Sequence, residues 1–393
     1  MDLVPHLLAG LEFNFQTLPE QLVNGLFLGA IYALIALGYT MVYGVLRLIN
    51  FAHGEVYMLG AYVALFMSYW LGYTPQGSKE TSSIVNLLMM LVASMVVCAI
   101  VGVLIERFAY RPMRGHSRIA SLITAIGVSL FLQYGGALFL PSSPPPSINE
   151  KINPFRGSTH LTLKAPDQSL KQQIELLKPE ATRAQAEFDA YLQSHAGASE
   201  FDPGPEGKPL KDAANKAQTK LGNAEREYAT SGVGITIRYG ELIIFCTSVV
   251  LMLVLTYLVM FTKAGRAMRA VSHDFDSASL MGVDVNKIIT YTFIIGSALA
   301  GAGAMMNATF KGTGLTTFFG LLPGVKAFVA AVLGGIGNIP GAVLGGLLMG
   351  MAETVVIWMG QSQYSDAIAF VVLIVVLLVK PGGLLGSNKV EKV

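Results

Sequence analysis

Residues 22–46 form a run of 25 side chains without one charge. As a helix this run is about 38 Å long, more than the roughly 30 Å of hydrocarbon in a bilayer. In lipid the backbone must satisfy its own hydrogen bonds, so a lone run of this kind can only be helical. Further apolar runs occupy 56–71, 84–105, 119–140, 242–261, 288–310, 315–336, 342–359 and 367–379. The last is short, and the glycine-rich 312–346 region can be re-entrant. The expectation is an all-α polytopic membrane protein with eight to ten transmembrane helices, some of them broken at glycine-rich segments.

Charge is concentrated elsewhere. Residues 141–240 hold 12 Lys/Arg and 12 Asp/Glu, so 24 of the 52 charged side chains lie in about a quarter of the length. This divides the chain into a transmembrane part at 1–140, a polar insert at 141–240 and a second transmembrane part at 241–393. Basic clusters orient such proteins, because Lys and Arg stay on the cytoplasmic side. RFAYRPMRGHSR carries Arg107, Arg111, Arg114 and Arg118, and TKAGRAMRA carries Lys263, Arg266 and Arg269. Lys380, Lys389 and Lys392 mark the C-terminus. With all three clusters inside, the insert faces outward, and nine spans close the parity. The start, MDLVPHLLAGLEFNF, lacks a basic region and a small-residue cleavage site, so no removable signal is expected. The net charge of +2 suggests no nucleic-acid partner.

Inside the insert, Leu170, Ile174, Leu177, Ala181, Ala184, Phe188 and Tyr191 alternate at spacings of four and three. Leu210, Ala214, Ala217, Leu221, Ala224 and Tyr228 do the same. This is an a/d seam. FDPGPEGKP between the two sets and PSSPPPS ahead of them are turn material. An antiparallel helical hairpin is expected, kinked or restarted at Pro179. It is either a plain stalk or a docking surface for an extracytoplasmic partner.

INFAHGEVYMLG, residues 49–60, sets Asn50, His53 and Glu55 between two apolar runs. Two readings stand. A broken helix would line a translocation path, since non-helical backbone and ionisable groups at membrane depth belong beside protein or water. An ordinary interfacial turn would have Asn50 capping the next helix and Glu55 near its positive end. Glu353, inside an apolar run, is either a path residue or a structural carboxyl bonded between helices. Gly337, Gly341 and Gly345 stand four apart, the spacing of close helix packing. Because Pro340 falls among them, GGIGNIPG is alternatively a sharp turn or an unwound segment that lines a path.

The stretch 269–287, RAVSHDFDSASLMGVDVNK, mixes charge with a short apolar face of Ala278, Leu280, Met281 and Val283. Asp274 or Asp276 can cap a short helix that Gly282 ends. Such a helix can relay motion from a soluble partner, or the stretch is a plain connector. The phosphate-cradling G-x-x-x-x-G-K-[ST] loop is absent, as are H-E-x-x-H and G-x-S-x-G. The histidines are scattered and the two cysteines isolated, so no catalytic residue, metal site or cofactor is expected.

Four separated blocks carry a resemblance. NGLFLGAIYALIALGYTMVYGVLRLINFAHGEVYMLGAY, IERFAYRPMRG, RAVSHDFDSASLMGVDVNKIITYTFIIGSALAGAGA and GVKAFVAAVLGGIGNIPGAVLGGLLMGMAE stand in order. VLLVKPGGLLG and the closing EKV agree with them. Together they resemble the LivH-type permease subunit of bacterial branched-chain amino-acid ABC importers, over nearly everything except 141–240. The resemblance implies a multi-pass subunit of the bacterial inner membrane, not an enzyme, that imports branched-chain or other hydrophobic amino acids. It implies a LivM-like second permease, two ATP-binding subunits that hydrolyse ATP, and a periplasmic binding protein that delivers substrate. It makes 262–287 the coupling loop to the ATPase, with Arg269, Asp274, Ala278, Leu280 and Gly282 at the contact, and supports Asn50, His53 and Glu55 as path candidates, beside Glu353, which is a candidate from its place in an apolar run. The insert, then periplasmic, is longer than the short external loop expected of such a permease. Alternatives are a urea- or amide-type permease of the same kind, whose NxAHGE-like core is shared, and a stand-alone channel or ion-coupled carrier.

Overall fold

A computed structural model describes residues 15–74, 77–78, 83–114, 116–141, 157–165, 167–195, 204–310 and 314–386. The N-terminal stretch through residue 14, PSSPPPS beyond Pro141, residues 201–203 of the insert's turn, and Lys389 and Lys392 lie outside them. The described residues form thirteen α-helices. They are α1 (Leu18–Leu46), α2 (His53–Trp70), α3 (Ile84–Ile105), α4 (Arg118–Phe139), α5 (Gln168–Ser194), α6 (Gly204–Ser231), α7 (Tyr239–Phe261), α8 (Lys263–His273), α9 (Phe275–Leu280), α10 (Val285–Phe310), α11 (Leu321–Gly334), α12 (Ile339–Trp358) and α13 (Ala367–Val379). Two short two-stranded sheets pair β1 (Tyr73–Thr74) with β2 (Gly77–Ser78) and β3 (Ser158–Lys164) with β4 (Val233–Arg238).

The chain forms two compact units. The larger takes in Gln21–Thr159 and Ile237–Val393. Six of its helices are long and apolar enough to cross a bilayer: α1, α3 with its extension to Tyr110, α4, α7, α10 and α12. The other five are shorter or more polar: the 11-residue α8, the 6-residue α9, and α2, α11 and α13. α2 opens on His-Gly-Glu. The 14 residues of α11 and 13 of α13 reach only about 20 Å each. The run expected at 315–336 is therefore helical only from Leu321 to Gly334, ending in a turn where Gly335 and Gly337 have φ of 104° and 91°. Left-handed backbone of that kind is open to glycine at little cost.

Burial separates the helices more sharply than composition does. The most apolar stretch of α1 is 89% buried, and that of α10 is 72% buried. The corresponding figure for α4 is 11%, so α4 turns most of its apolar surface outward. α1 is thus the axis of the unit. It packs on α12 and α10 through glycines that bring backbones together: Gly29 beside Gly346 and Leu347, and Gly38 beside Gly296. Without a hydrophobic drive between helices in lipid, such close packing is what holds a bundle together.

The smaller unit comprises Asn14–Glu20 and His160–Thr236. Asp167 caps α5, and its backbone N–H donates to Ser231 Oγ at the end of α6, 2.9 Å away, so the two helices run antiparallel. The seam residues named above are all buried or half-buried, with Ala181, Phe188, Ala214, Ala217 and Ala224 the deepest. α5 continues through Pro179 without an interruption, which corrects the expected restart.

Candidate functional site

The segment between α1 and α2 dips into the larger unit. The His53 imidazole lies in the notch left by Gly38, eight residues before the end of α1, or about 12 Å in from that end. Asn50, His53 and Glu55 are only 1%, 1% and 2% exposed. Asn50 does not cap α2: the cap position is Ala52, with no side-chain bond. Instead Asn50 Oδ1 accepts from the Tyr110 hydroxyl at 3.1 Å, and the Ile49 carbonyl accepts from it at 3.3 Å. His53 meets the Tyr39 ring edge-on at 4.7 Å. Four atoms here are buried with no partner: Asn50 Nδ2, both His53 ring nitrogens and Glu55 Oε2. Orphans of this sort are uncommon in native interiors and call for an explanation.

Glu55 opens on a cavity of about 190 Å³ between α2, α4 and α11. Its Oε1 accepts from Ser129 Oγ at 3.3 Å. One turn along α4, Gln133 also faces the cavity, 5% exposed and with Nε2 unpartnered. The remaining wall is apolar: Ile126 and Leu130 from α4, Leu321, Val325 and Phe328 from α11. Gly54 and Gly320 allow α2 and the start of α11 to touch backbone to backbone. His53 lies behind Tyr39, which lines the cavity.

Glu353 belongs to a different cluster. Lys326 on α11 places its Nζ 2.7 Å from Glu353 Oε1 and 2.6 Å from Asp366 Oδ1. The Tyr32 hydroxyl, from the middle of α1, donates to Glu353 Oε2 at 2.7 Å. α11 thus carries the cavity on one side and a buried ion cluster on another. Of the two readings for Glu353, this geometry matches the carboxyl bonded between helices. Lys326 went unread in the sequence, although a lone lysine within an apolar run is as telling as a lone glutamate.

The stretch 269–287 takes in the end of α8, all of α9 and the start of α10. The Thr262 side chain caps α8, and the Arg269 guanidinium donates back to the Val259 carbonyl. Asp274 caps α9 by accepting the Ser277 N–H at 2.7 Å. That bond holds its carboxyl below the usual carboxylate range. The cap is therefore intact at neutral pH and is lost only as pH falls through this lowered value. α9 ends at Gly282, whose φ is 83°, with Gly282 N–H on the Ser279 carbonyl and Val283 N–H on that of Ala278. This is a Schellman end. Ala278 is buried, while Leu280 and Met281 are 88% and 85% exposed.

A clamp joins this region to the bundle. A single π-turn, Glu106–Tyr110, extends α3, the kind of bulge that marks a departure from plain helix. Glu106 is fully buried and accepts from Arg111 at 3.2 Å, from the Thr290 hydroxyl at 3.0 Å and from Arg114. Arg114 also donates to Asn286. Two arginines of the first basic cluster thereby tie α3 to the start of α10.

Gly341 and Gly345 stand where α12 meets α11 backbone to backbone. Gly337 does not share that face. It lies in the turn ahead of α12, where its positive φ, not helix packing, requires glycine. Among the described residues no group of three His, Cys, Asp or Glu side chains is placed to hold a metal.

A bundle of apolar helices around a buried axis, with a solute-sized cavity and sealed ionisable groups, is the architecture of a multi-pass membrane transport protein. The chain belongs to the family described as branched-chain amino acid transport system / permease component, which matches residues 21–377. It is 37% identical over 375 residues to the high-affinity branched-chain amino acid transport system permease protein BraD of Pseudomonas aeruginosa, covering 95% of this chain and 97% of that one. It is 34% identical over 374 residues to the permease protein LivH of Escherichia coli K12, and 33% to LivH of Salmonella typhimurium, at the same coverage. No solved structure matches.

Proposed function

We infer that the chain is the permease subunit of an ATP-driven importer of branched-chain or other hydrophobic amino acids in the bacterial inner membrane. The observation that carries this is the end-to-end match to permease proteins of branched-chain amino-acid transport systems. Its partners are a LivM-like permease, two ATP-binding subunits on the cytoplasmic face and a periplasmic binding protein. The antiparallel hairpin faces the periplasm, where it widens the contact with the binding protein or serves assembly. The family match favours this over a urea-type permease. Glu353, the carboxylate on which an ion-coupled carrier would depend, is already taken by Lys326.

α9 is the coupling element. Its cap and its glycine end make it rigid for its length, and Leu280 and Met281 form an apolar knob suited to a groove in the ATPase. Motion received there passes into α10, and through Glu106 into α3. Alternating access then follows from packed helices rocking as bodies. The first test is reconstitution with the four partners. Leucine uptake should require ATP, and uptake that persists without it would overturn the reading.

Two substitutions probe the coupling. Gly282→Val forces a β-branched residue into left-handed backbone, which costs about 1–3 kcal/mol locally. Asp274→Lys removes the cap. Both variants should insert and assemble normally, hydrolyse ATP, and lose most leucine uptake. Transport at the wild-type rate per ATP in both would take the coupling role away from α9.

A further inference from the structure

The cavity beside Glu55 holds two unmet bonding needs of opposite kind. Glu55 Oε2 is a buried acceptor without a donor, and Gln133 Nε2 is a buried donor without an acceptor. Both side chains are more than nine-tenths buried, and both line the same space. Ser129 Oγ already donates to the other oxygen of Glu55, which fixes the carboxylate and leaves Oε2 without a partner. Everything else that faces the space, apart from Tyr39, is hydrocarbon or glycine.

Leaving one buried group unsatisfied is costly, and leaving two in one small cavity is more so. A guest that donates at one end and accepts at the other removes both costs. An apolar molecule would satisfy neither group, and a bare cation only Glu55. An inorganic anion would satisfy Gln133 but be repelled by the carboxylate. The space of about 190 Å³ is somewhat larger than the roughly 150 Å³ cavity that accepts benzene. It therefore has room for a molecule of amino-acid size.

We propose that this cavity is a transient binding subsite for a zwitterionic α-amino acid with an aliphatic side chain. Glu55 receives the ammonium and Gln133 donates to the carboxylate. Ile126, Leu130, Val325 and Phe328 receive the side chain. The proposal rests on the importer reading above and adds to it where the substrate pauses inside the permease. It also separates the three polar residues of INFAHGE. Glu55 touches the guest. His53, behind Tyr39, and Asn50, held by Tyr110, position the segment that carries Glu55.

The site has a conformational logic. α4 is packed on one side only. A guest bridging Glu55 on α2 and Gln133 on α4 draws those helices together across the start of α11. A site of modest affinity, occupied in passing, is what a transporter needs, because tight binding would slow release.

The test uses the full importer, reconstituted with its partner permease, ATPase subunits and binding protein, and photo-leucine as the probe. Illumination should label peptides from α4 and α11 that contain Ile126, Leu130, Val325 or Phe328, and excess leucine should suppress the labelling. Glu55→Gln keeps the shape but removes the charge, and Gln133→Leu removes the donor. Each should cut both labelling and leucine uptake by roughly tenfold or more, the loss expected for a hydrogen bond to a charged group. Gln133→Glu, which sets a like charge against the ligand carboxylate, should be at least as defective as Gln133→Leu. Labelling confined to other helices, or uptake at the wild-type rate in both Glu55→Gln and Gln133→Leu, overturns the subsite while leaving the importer intact. A wild-type complex that hydrolyses ATP but imports no amino acid overturns the subsite and the importer reading together.

Discussion

Lys326→Met should strongly deplete folded protein. Lys326 holds Glu353 and Asp366 at 2.7 and 2.6 Å, and the Lys326 and Glu353 side chains are 7% and 10% exposed. Methionine fills similar space but strands the Glu353 charge, with only the Tyr32 hydroxyl left beside it. Breaking one half of a buried pair costs about 3–5 kcal/mol, against a total stability of about 5–15 kcal/mol for a domain. The Asp366 contact adds less, because that side chain is half-exposed and screened. The measurement is the yield and thermal midpoint of detergent-purified protein. Glu353→Gln added to Lys326→Met removes the stranded charge and should recover part of the loss. If the single variant melts with the wild type, the lysine is idle. If the double variant is worse than the single, lost packing and not the stranded charge is the cause.

The parts of this molecule that were readable in its sequence are those decided within a few residues. Charge-free runs placed the apolar helices, because a run that fills a bilayer has one way to satisfy its backbone. The Asp274 cap and the Gly282 stop of α9 were readable for the same reason, since each bonds to groups within about a turn. The insert's seam was readable because its period repeats through both helices. What escaped, outside that seam, was the meeting of side chains distant in sequence. Tyr110 reaches Asn50 across 60 positions and Ser129 reaches Glu55 across 74. Thr290 reaches Glu106 across 184, and Tyr32 reaches Glu353 across 321.

Averaging hid the rest. Lys326 vanished into a run whose mean was apolar, and Gln133 and Ser129 did the same in α4. The spacing of four between Ser129 and Gln133 puts them on one helix face, a signal that was present but needed Glu55 opposite it to mean anything. Gly337 shared the spacing of Gly341 and Gly345 but not their role, because the turn before Pro340 had already left the helix. Spacing identifies a face only while the helix continues.

The second large loss is expected where α1 crosses α12. Gly25, Gly29 and Ala33 stand four apart on α1, facing Gly346 and Gly350 on α12. A methyl group at Gly346 would lie 2.5 Å from the Ala33 Cα, and one at Gly29 would lie 2.6 Å from the Leu347 Cα. These neighbours are backbone atoms, which cannot swing aside as a flexible side chain can. Overpacking ordinarily costs about 1–3 kcal/mol because neighbours adjust. Gly350→Val should exceed that range, since only separating the helices makes room. Separation has a further consequence. Glu353 follows Gly350 by three residues and bonds to Tyr32 on α1, so displacing α12 also stretches the ion cluster. Gly350→Val should therefore match Lys326→Met in lowering the thermal midpoint. Gly127→Ala and Gly135→Ala on α4 are the controls, because nothing lies within 4 Å of either added methyl. Both should be neutral or slightly stabilising, by up to about 1 kcal/mol from helix propensity. Should Gly350→Val melt at the wild-type temperature, backbone contact between α1 and α12 is not what holds the axis in place. Should the α4 controls fall as far as Gly350→Val, the loss reflects glycine removal anywhere in the bundle and not this crossing.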